Sequence, residues 1–165
     1  GVKDMSSLAD WTVSQFDPSL SWDDVAAIRE QWGGKLIIKG ILDVEDALAA
    51  VNVGADAIVV SNHGGRQLDG AMSSITALPA IVEAIGDRAE VWMDGGIRSG
   101  QDVLRAIALG AEGTMIGRAF LYGLGAKGQA GVRQTLEIIH KELDLTLGLC
   151  GQSDLAKVDS SILLK

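Results

Sequence analysis

The sequence predicts an α/β fold, the second half of a (β/α)8 barrel, from three observations. Four short apolar runs lack polar alternation, as is typical of parallel strands covered on both faces. Helical patterns with apolar residues three and four apart lie between these runs. An internal repeat superimposes Gly40-Ile41 on Gly96-Ile97 and Asp46 on Asp102. Recurring βα units favour a barrel over an open sheet, and four strands supply half of the eight that a barrel needs.

The elements follow in order along the chain. Strands are predicted over residues 36–38, 57–60, 91–93 and 114–116, and crossover helices over 43–53, 74–85 and 101–109. Ser21 with Asp24, and Ser99 with Asp102, have the spacing of a helix-starting capping box. Gly54, Gly86 and Gly110 are predicted to end helices.

The whole chain, residues 1–165, is interpreted as the C-terminal half of one barrel domain. Residues 1–20 are expected to be the remnant of the connection between strands 4 and 5. Residues 131–165 are expected to form a C-terminal helical extension, with one or two helices over 131–149 that pack on the outside of the barrel.

Composition excludes several classes of protein. The chain has 165 residues, of which 47% are hydrophobic, and a net charge of −8, so a globular unit is predicted and a nucleic-acid surface is not. No apolar run approaches the roughly 20 residues that span a bilayer.

One cysteine, Cys150, is typical of a reducing compartment, so a cytoplasmic location is expected. Peripheral binding to the inner membrane through residues 131–149 stays open, although their polar residues are not mainly basic.

Glycines and arginines follow the third and fourth predicted strands, at the edge where barrels carry their functional groups. The segment from Asp94 through Gly95 and Gly96 to Arg98 precedes a helix, so its N–H groups and guanidinium can approach an anion. Gly117 and Arg118 end the next strand. Two such adjacent loops predict a phosphate site. The alternative is simple turn chemistry, and for Ser99 a helix-capping role is the favoured interpretation.

His63 and Arg66 lie in the glycine-bracketed loop after the second strand. An imidazole can accept a proton near neutral pH, and a guanidinium can bind a carboxylate through two hydrogen bonds. The pair therefore suits a carboxylate-bearing substrate that loses a proton. A loop histidine paired with Asp69 is an equal alternative. His140 is predicted to be a surface residue, and the two histidines have no metal-ligand spacing.

Lys39 ends the first apolar run, where a charged side chain suits a position at the mouth of the barrel. A lysine at that place can stabilise negative charge on a ligand. The alternative is a solvated strand end.

These segments resemble those of the FMN-dependent 2-hydroxy-acid dehydrogenase and oxidase family, which includes glycolate oxidase, flavin L-lactate dehydrogenase and mandelate dehydrogenase. The matching strings are LIIKG at 36–40, IVVSNHGGRQLD at 58–69, DGGIRSG at 94–100 and IGRAF at 116–120. The string SNHGGRQLD is highly specific. The resemblance runs from about Ser19 to the C-terminus and corresponds to the C-terminal half of a family member.

The resemblance implies a role for each of these residues. His63 matches the catalytic base, Arg66 a substrate-carboxylate ligand, and Lys39 the lysine beside the flavin N1 and O2 atoms. Ser61 matches a serine that contacts FMN. The family positions that hold the ribityl chain and the phosphate of FMN are matched by Asp94, Gly95, Gly96, Arg98, Gly117 and Arg118.

The implied reaction oxidises a small L-2-hydroxy acid to the 2-oxo acid and reduces FMN. The implied partners are the N-terminal half of the same barrel and further copies of the chain, since similar proteins are tetramers. Two other functions stay open: a non-catalytic phosphate-binding half-barrel, and a nucleotide-binding barrel similar to inosine-monophosphate dehydrogenase. The second needs a nucleophilic cysteine in a barrel loop, and Cys150 lies near the C-terminus instead.

Overall fold

The computed structural model describes residues 4–15 and 17–164. Within these ranges the structure contains six α-helices and four strands. Their order is α1 Met5–Ser14, α2 Trp22–Trp32, β1 Ile37–Ile41, α3 Val44–Asn52, β2 Ala57–Val60, α4 Ser74–Ile85, β3 Glu90–Met93, α5 Gly100–Ala108, β4 Gly113–Thr114 and α6 Arg118–Leu149. Within the described residues, no helix is both long and apolar enough to cross a membrane.

The four strands form one parallel sheet in the order β1-β2-β3-β4. Because neighbouring strands are also consecutive, each crossover helix returns the chain to the next position along the sheet, which is the arrangement of half a (β/α)8 barrel. The predicted α/β class with four parallel strands is confirmed. β4 is shorter than predicted: it ends at Thr114, although Met115 still donates its backbone N–H to the carbonyl of Met93 at 2.9 Å.

The hydrophobic core lies between the sheet and its crossover helices. Alternate strand residues point to this side, and they pack against the apolar faces of α3 and α4. The core includes Ile58, Val60, Leu78, Ile81, Ile85, Val91 and Met93. On the opposite face of the sheet, Ile37 of the edge strand β1 is 46% exposed, whereas Val59 of the inner strand β2 is 1% exposed.

β1 contains a bulge at Gly40. Lys39 pairs with Val59 and Ile41 with Val60, so that Gly40 is an extra residue in the ladder. A bulge reverses the alternation of side chains beyond it. Ile41 consequently joins Ile38 in the core on the helix side of the sheet.

Local signals explain where the helices begin and end. At the start of α5, the hydroxyl of Ser99 accepts from the backbone N–H of Asp102, whose carboxylate accepts from the N–H of Ser99. Asp24 likewise accepts from the N–H of Ser21 before α2. The predicted glycine stops follow α3, α4 and α5 at Gly54, Gly86 and Gly110.

α6 consists of two helical stretches, 118–126 and 129–149, which meet at a kink where Lys127 and Gly128 leave helical geometry. The stretches cross at two glycines, since a Cβ on Gly123 or Gly131 would collide with the backbone of the other residue. The second stretch packs on α5 outside the sheet: the carboxylate of Glu142 accepts from the N–H of Gly100 at 3.0 Å. The second stretch corresponds to the helix predicted over 131–149 and begins two residues before that range, at residue 129.

The chain termini carry further short elements. α1 lies within residues 1–20, the segment expected to be a loop remnant, so part of that segment is helical. After α6, two single 3-10 turns occupy Leu155–Lys157 and Ser160–Ile162. The division of the chain into a connecting segment and a C-terminal extension stays a prediction.

Candidate active site

The carboxyl ends of the four strands surround one open cavity of about 320 Å³. Nine of the ten predicted site residues line it, namely Lys39, His63, Arg66, Asp94, Gly95, Gly96, Arg98, Gly117 and Arg118. The tenth, Ser61, is fully buried directly beneath them. Residues from four separate loops are thus brought to one place, as parallel strands with a common carboxyl edge require.

Lys39 and Asp94 form an ion pair across the cavity floor, with Lys39 Nζ 2.8 Å from Asp94 Oδ2. The same ammonium donates to the Ser61 hydroxyl at 3.0 Å. The other carboxylate oxygen, Asp94 Oδ1, is buried without a hydrogen-bond partner among the described residues. Buried polar atoms are nearly always satisfied, so this oxygen is a vacant acceptor for a ligand hydroxyl or N–H.

The loop that carries His63 adopts an uncommon conformation. His63 itself has a positive φ of 55°, the only such value at a non-glycine residue within the described ranges. Gly64 and Gly65 continue in the same left-handed region. A left-handed residue with a Cβ is strained and is held by its surroundings. Here the His63 N–H donates to the Ser61 hydroxyl at 3.0 Å.

Asn62 and Ser74 brace this loop from the other side. The side-chain oxygen of Asn62 accepts from the N–H of Gly64 at 2.9 Å, which closes the turn. The N–H of Asn62 donates to the hydroxyl of Ser74 at 3.1 Å, and Ser74 is only 1% exposed. A Cβ on Gly95 would lie 2.8 Å from that hydroxyl. Ser74 therefore holds the His63 loop through a hydrogen bond, and its hydroxyl lies close to Gly95 after β3.

Arg66 ends the same turn, and its N–H donates to the carbonyl of His63 at 3.3 Å. Its side chain is exposed and lines the cavity together with His63. The alternative pairing of His63 with Asp69 does not occur among the hydrogen bonds and ion pairs of the described residues, where Asp69 Oδ1 accepts from the N–H of Gly70. Both side chains are consequently available to a ligand in the cavity.

The two predicted phosphate loops face each other across the cavity. Gly95 and Gly96 have positive φ angles of 88° and 89°, and a Cβ on Gly96 would meet open space. Arg98 follows them at the start of α5 and is exposed. Arg118 begins α6, and its guanidinium donates to the carbonyl of Gly64 at 3.3 Å. Both glycine loops and both guanidinium groups therefore line the same cavity. The N–H groups at the start of α5 itself already donate to the carboxylates of Asp102 and Glu142.

The cavity is locally cationic although the chain is acidic. Its lining contains Lys39, Arg66, Arg98 and Arg118 and a single carboxylate, that of Asp94. The net charge of the whole chain is −8. These four side chains attract an anion at short range, where salt screens little.

Sequence comparison identifies the family. The sequence model of the FMN-dependent dehydrogenase family matches residues 1–165. This chain belongs to that family. Among curated relatives, the L-lactate dehydrogenase of Caulobacter vibrioides is 56% identical over 153 residues, which is 93% of this chain and 40% of the relative. The L-lactate dehydrogenase of Pectobacterium atrosepticum is 55% identical over 155 residues, or 94% of this chain and 40% of the relative.

Solved structures agree with the sequence comparison. A structure of mandelate oxidase with (S)-4-hydroxymandelic acid superimposes with a TM-score of 0.86 and 49% identity, over 92% of this chain and 42% of that one. A mandelate oxidase variant with a monooxide FMN adduct has a TM-score of 0.81 and 50% identity, over 86% of this chain and 45% of that one. The chain thus spans about 40% of the length of its curated relatives.

The residues at the cavity fit FMN, the cofactor of the family. The cofactor carries hydroxyl groups that can donate to Asp94 Oδ1, the buried acceptor without a partner. Its phosphate could be held by the glycine backbone of residues 95–96 together with Arg98 and Arg118, because glycine-loop N–H groups and guanidinium groups bind such dianions. The lining residues therefore include groups that can bind the hydroxyl groups of FMN and groups that can bind its phosphate.

Cys150 lies away from this cavity. It is exposed at the end of α6 and lines a second cavity between α5, α6 and the C-terminal turns. A barrel enzyme that uses a cysteine nucleophile needs the thiol in a loop at the carboxyl ends of the strands. The position of Cys150 therefore disfavours the inosine-monophosphate-dehydrogenase-like alternative.

Sequence reasoning missed several residues of the site. The predicted site does not include Asn62, although an asparagine before a left-handed residue is a frequent turn signal. Ser74 was included only as the start of a helix, and its buried hydroxyl has no signal in the sequence. Met115 was expected inside a strand, but it is 40% exposed and lines the cavity with Leu121.

Proposed function

We propose that the protein to which this chain belongs oxidises a small L-2-hydroxy acid to the corresponding 2-oxo acid with FMN as its cofactor. The observation that carries this proposal is the presence of His63, Arg66 and the phosphate loops around one cavity. A base, a carboxylate ligand and a phosphate cradle together suit a flavin and an anionic substrate. The names of the relatives, L-lactate dehydrogenase and mandelate oxidase, agree with this substrate class.

Arg66 is proposed to bind the substrate carboxylate. Its side chain is exposed in the cavity, and a guanidinium can give a carboxylate two parallel hydrogen bonds. Such a fork fixes the orientation of the substrate as well as its position. The carboxylate is thereby held on the same turn that carries the proposed base.

His63 is proposed to be the base that removes a proton from the bound hydroxy acid. Oxidation of the 2-hydroxy acid to the 2-oxo acid releases two electrons and two protons, and His63 takes one of these protons. FMN, when bound, would supply the acceptor for the two electrons and the second proton. The strained backbone at His63 is held by Ser61 and by the turn of Asn62, so the imidazole is directed before the substrate arrives.

The remaining residues are proposed to hold the cofactor. Gly95, Gly96, Arg98, Gly117 and Arg118 would bind the phosphate, and Asp94 would accept a hydrogen bond from the sugar-alcohol chain. Lys39, supported by Ser61, would place a positive charge where negative charge develops on reduction. Preorganised charges of this kind need no rearrangement during the reaction.

The rest of the barrel is proposed to come from an N-terminal half, which closes the barrel and completes the cavity. The native protein is proposed to be cytoplasmic, or peripheral at the inner membrane, and to assemble with further copies of itself. Mass spectrometry of the native protein tests the first part. A larger polypeptide, or a second fragment in equal amount, supports it, whereas a protein consisting only of these 165 residues contradicts it.

Anaerobic titration of the purified native protein tests the reaction itself. The protein is expected to show flavin absorbance that is bleached by L-lactate, L-mandelate or glycolate, with one molecule of 2-oxo acid formed per flavin. The D-enantiomers of lactate and mandelate are the matched controls. A colourless protein that does not take up added FMN, or a flavin that none of the three acids reduces, overturns the proposal.

A further inference from the structure

Gly40 lies near the carboxyl end of β1, next to the candidate active site. It is the extra residue of the β1 bulge, with a positive φ of 106°. Bulges of this kind occur next to active sites, where they redirect side chains. Here the bulge separates Lys39, which reaches into the cavity towards Asp94, from Ile41, which is buried in the core on the other side.

The imidazole of His63 lies directly on the backbone of Gly40. A Cβ on residue 40 would lie 2.6 Å from His63 Cε1 and 3.4 Å from His63 Nε2. The first distance is far below van der Waals contact, so a side chain on residue 40 would force the ring to turn. The backbone of His63 cannot easily follow, because Ser61 and the Asn62 turn hold it.

From this contact we propose that Gly40 is a positioning residue: its missing side chain allows the imidazole of His63 to take its place in the cavity. The role in turnover rests on the proposed function of His63 as a base. A ring displaced by about 1 Å is enough to lower a rate by a large factor.

Backbone strain must be separated from contact with His63, because alanine is unfavourable at any position with a positive φ. Gly33 provides the matched control. It ends α2 with a φ of 64°, and a Cβ there would have nothing within 4 Å. Gly33→Ala therefore adds an alanine at positive φ without the collision, whereas Gly40→Ala adds both. Strain particular to the φ of 106° at Gly40 is subtracted by repeating each substitution in the His63→Ala background.

The first measurement is a double-mutant cycle on the thermal stability of the native protein, with Gly40→Ala and Gly33→Ala made in the presence of His63 and of His63→Ala. Gly40→Ala is expected to lower Tm at least twice as far when His63 is present as when it is replaced. Gly33→Ala is expected to lower Tm equally in both backgrounds. This measurement does not depend on catalysis, so it tests the contact even if the proposed reaction is wrong.

The second measurement is turnover of the native enzyme with its 2-hydroxy acid. Gly40→Ala is expected to lower kcat at least tenfold, with less than a threefold change in KM and with FMN retained. Gly33→Ala is expected to keep kcat within twofold. If the wild-type protein oxidises none of the acids, the proposed function fails and the stability cycle alone decides the positioning role.

Two results would overturn the inference. The first is an equal loss of stability from Gly40→Ala in both backgrounds, which includes failure to fold in both. The second is a Gly40→Ala enzyme whose kcat stays within twofold of an active wild type. Folding of Gly40→Ala only when His63 is also replaced supports the inference, because removal of the ring then relieves the collision.

Discussion

Lys39 and Asp94 are joined by an ion pair of 2.8 Å, although their strands, β1 and β3, are separated by β2. The pair spans the strand between them above Ser61, which accepts from Lys39 Nζ. Three neighbouring strand ends are therefore linked by two side-chain contacts. Asp94 keeps one buried oxygen without a partner among the described residues, so the same pair both closes the floor and presents an acceptor to a ligand.

Lys39→Met is expected to weaken FMN binding in the native protein. The substitution leaves the partly buried carboxylate of Asp94 without its counter-ion and removes the cation proposed to lie beside the flavin. We expect the Kd of FMN to rise at least tenfold, or about 1.4 kcal/mol. Quenching of FMN fluorescence on binding measures this value.

Lys35→Met is the control for this loss. Lys35 also forms a short lysine–aspartate pair, with Asp56 at 2.6 Å, but it precedes β1 at the opposite end of the strand. Its replacement is expected to leave the Kd of FMN within twofold of wild type. An equal loss of FMN affinity in both variants would show that general destabilisation, and not the cavity charge, is responsible.

His63→Gln is expected to abolish most turnover while FMN stays bound. Glutamine retains hydrogen-bonding groups at a similar length but cannot accept the substrate proton, so kcat should fall by about a hundredfold to ten-thousandfold. Stopped-flow measurement of flavin reduction reports this step directly. His140→Gln, on the exposed face of α6, is the control and should leave the rate unchanged. Normal flavin reduction in His63→Gln would remove His63 from the role of base.

Arg66→Lys is expected to act mainly on substrate binding. Lysine keeps the positive charge, but a single ammonium cannot replace the two parallel hydrogen bonds of a guanidinium. We expect KM to rise about tenfold or more, with a smaller change in kcat. Arg133→Lys, in an exposed pair with Glu137, is the control with no expected effect. A variant that lost kcat at constant KM would place Arg66 in the chemical step instead.

Much of the scaffold was predictable because its signals are local. Residues 57–60 are fully buried, so a continuous apolar run identified β2 to the residue. α4 also matched its predicted bounds, since its apolar periodicity ends at a glycine. The first stretch of α6 was missed because its glycines disfavour helix. Its formation depends on the close crossing of Gly123 and Gly131, a tertiary contact that no local pattern contains.

The members of the site were more predictable than their arrangement. Strand ends and glycine loops indicated His63, Arg98 and Arg118 because parallel strands carry such residues to one edge. The bulge at Gly40 could not be predicted, since the repeat pairs this glycine with Gly96 and suggested only equivalent loops. Its contact with His63 depends on the register between β1 and β2, which is set by packing across the whole sheet.

Asp56→Asn is expected to destabilise the protein in a pH-dependent manner. Hydrogen bonds from the side chain of Lys35 and the backbone of Leu36 hold the pKa of Asp56 below its usual value of 3.8. Arg29 adds a further ion pair at 3.2 Å, so this carboxylate connects α2 to the start of the sheet. A pKa that is lower in the folded state means that the ionised form stabilises folding.

Melting curves between pH 7 and pH 2.5 measure this effect. At pH 7 the Tm of Asp56→Asn should lie several degrees below that of wild type. The difference should persist down to about pH 4 and then shrink as the pH falls through the lowered pKa of Asp56, where wild type loses the same charge. Asp144→Asn, an exposed carboxylate on α6, should show no such convergence. A constant difference at every pH would mean that the charge of Asp56 does not contribute.

Gly100→Ala is expected to loosen α5 from α6. Gly100 is buried at the first position of α5, and a Cβ there would collide with the backbone of Leu143 and Ile139. Such overpacking against backbone typically costs about 1–3 kcal/mol, which urea unfolding of the native protein can measure. The opposite sign is expected for Gly148→Ala in the last turn of α6, where a Cβ meets nothing within 4 Å and alanine favours helix by about 0.5–1 kcal/mol. If both variants stabilise the protein, α5 and α6 do not approach each other as closely as Gly100 and Leu143 indicate.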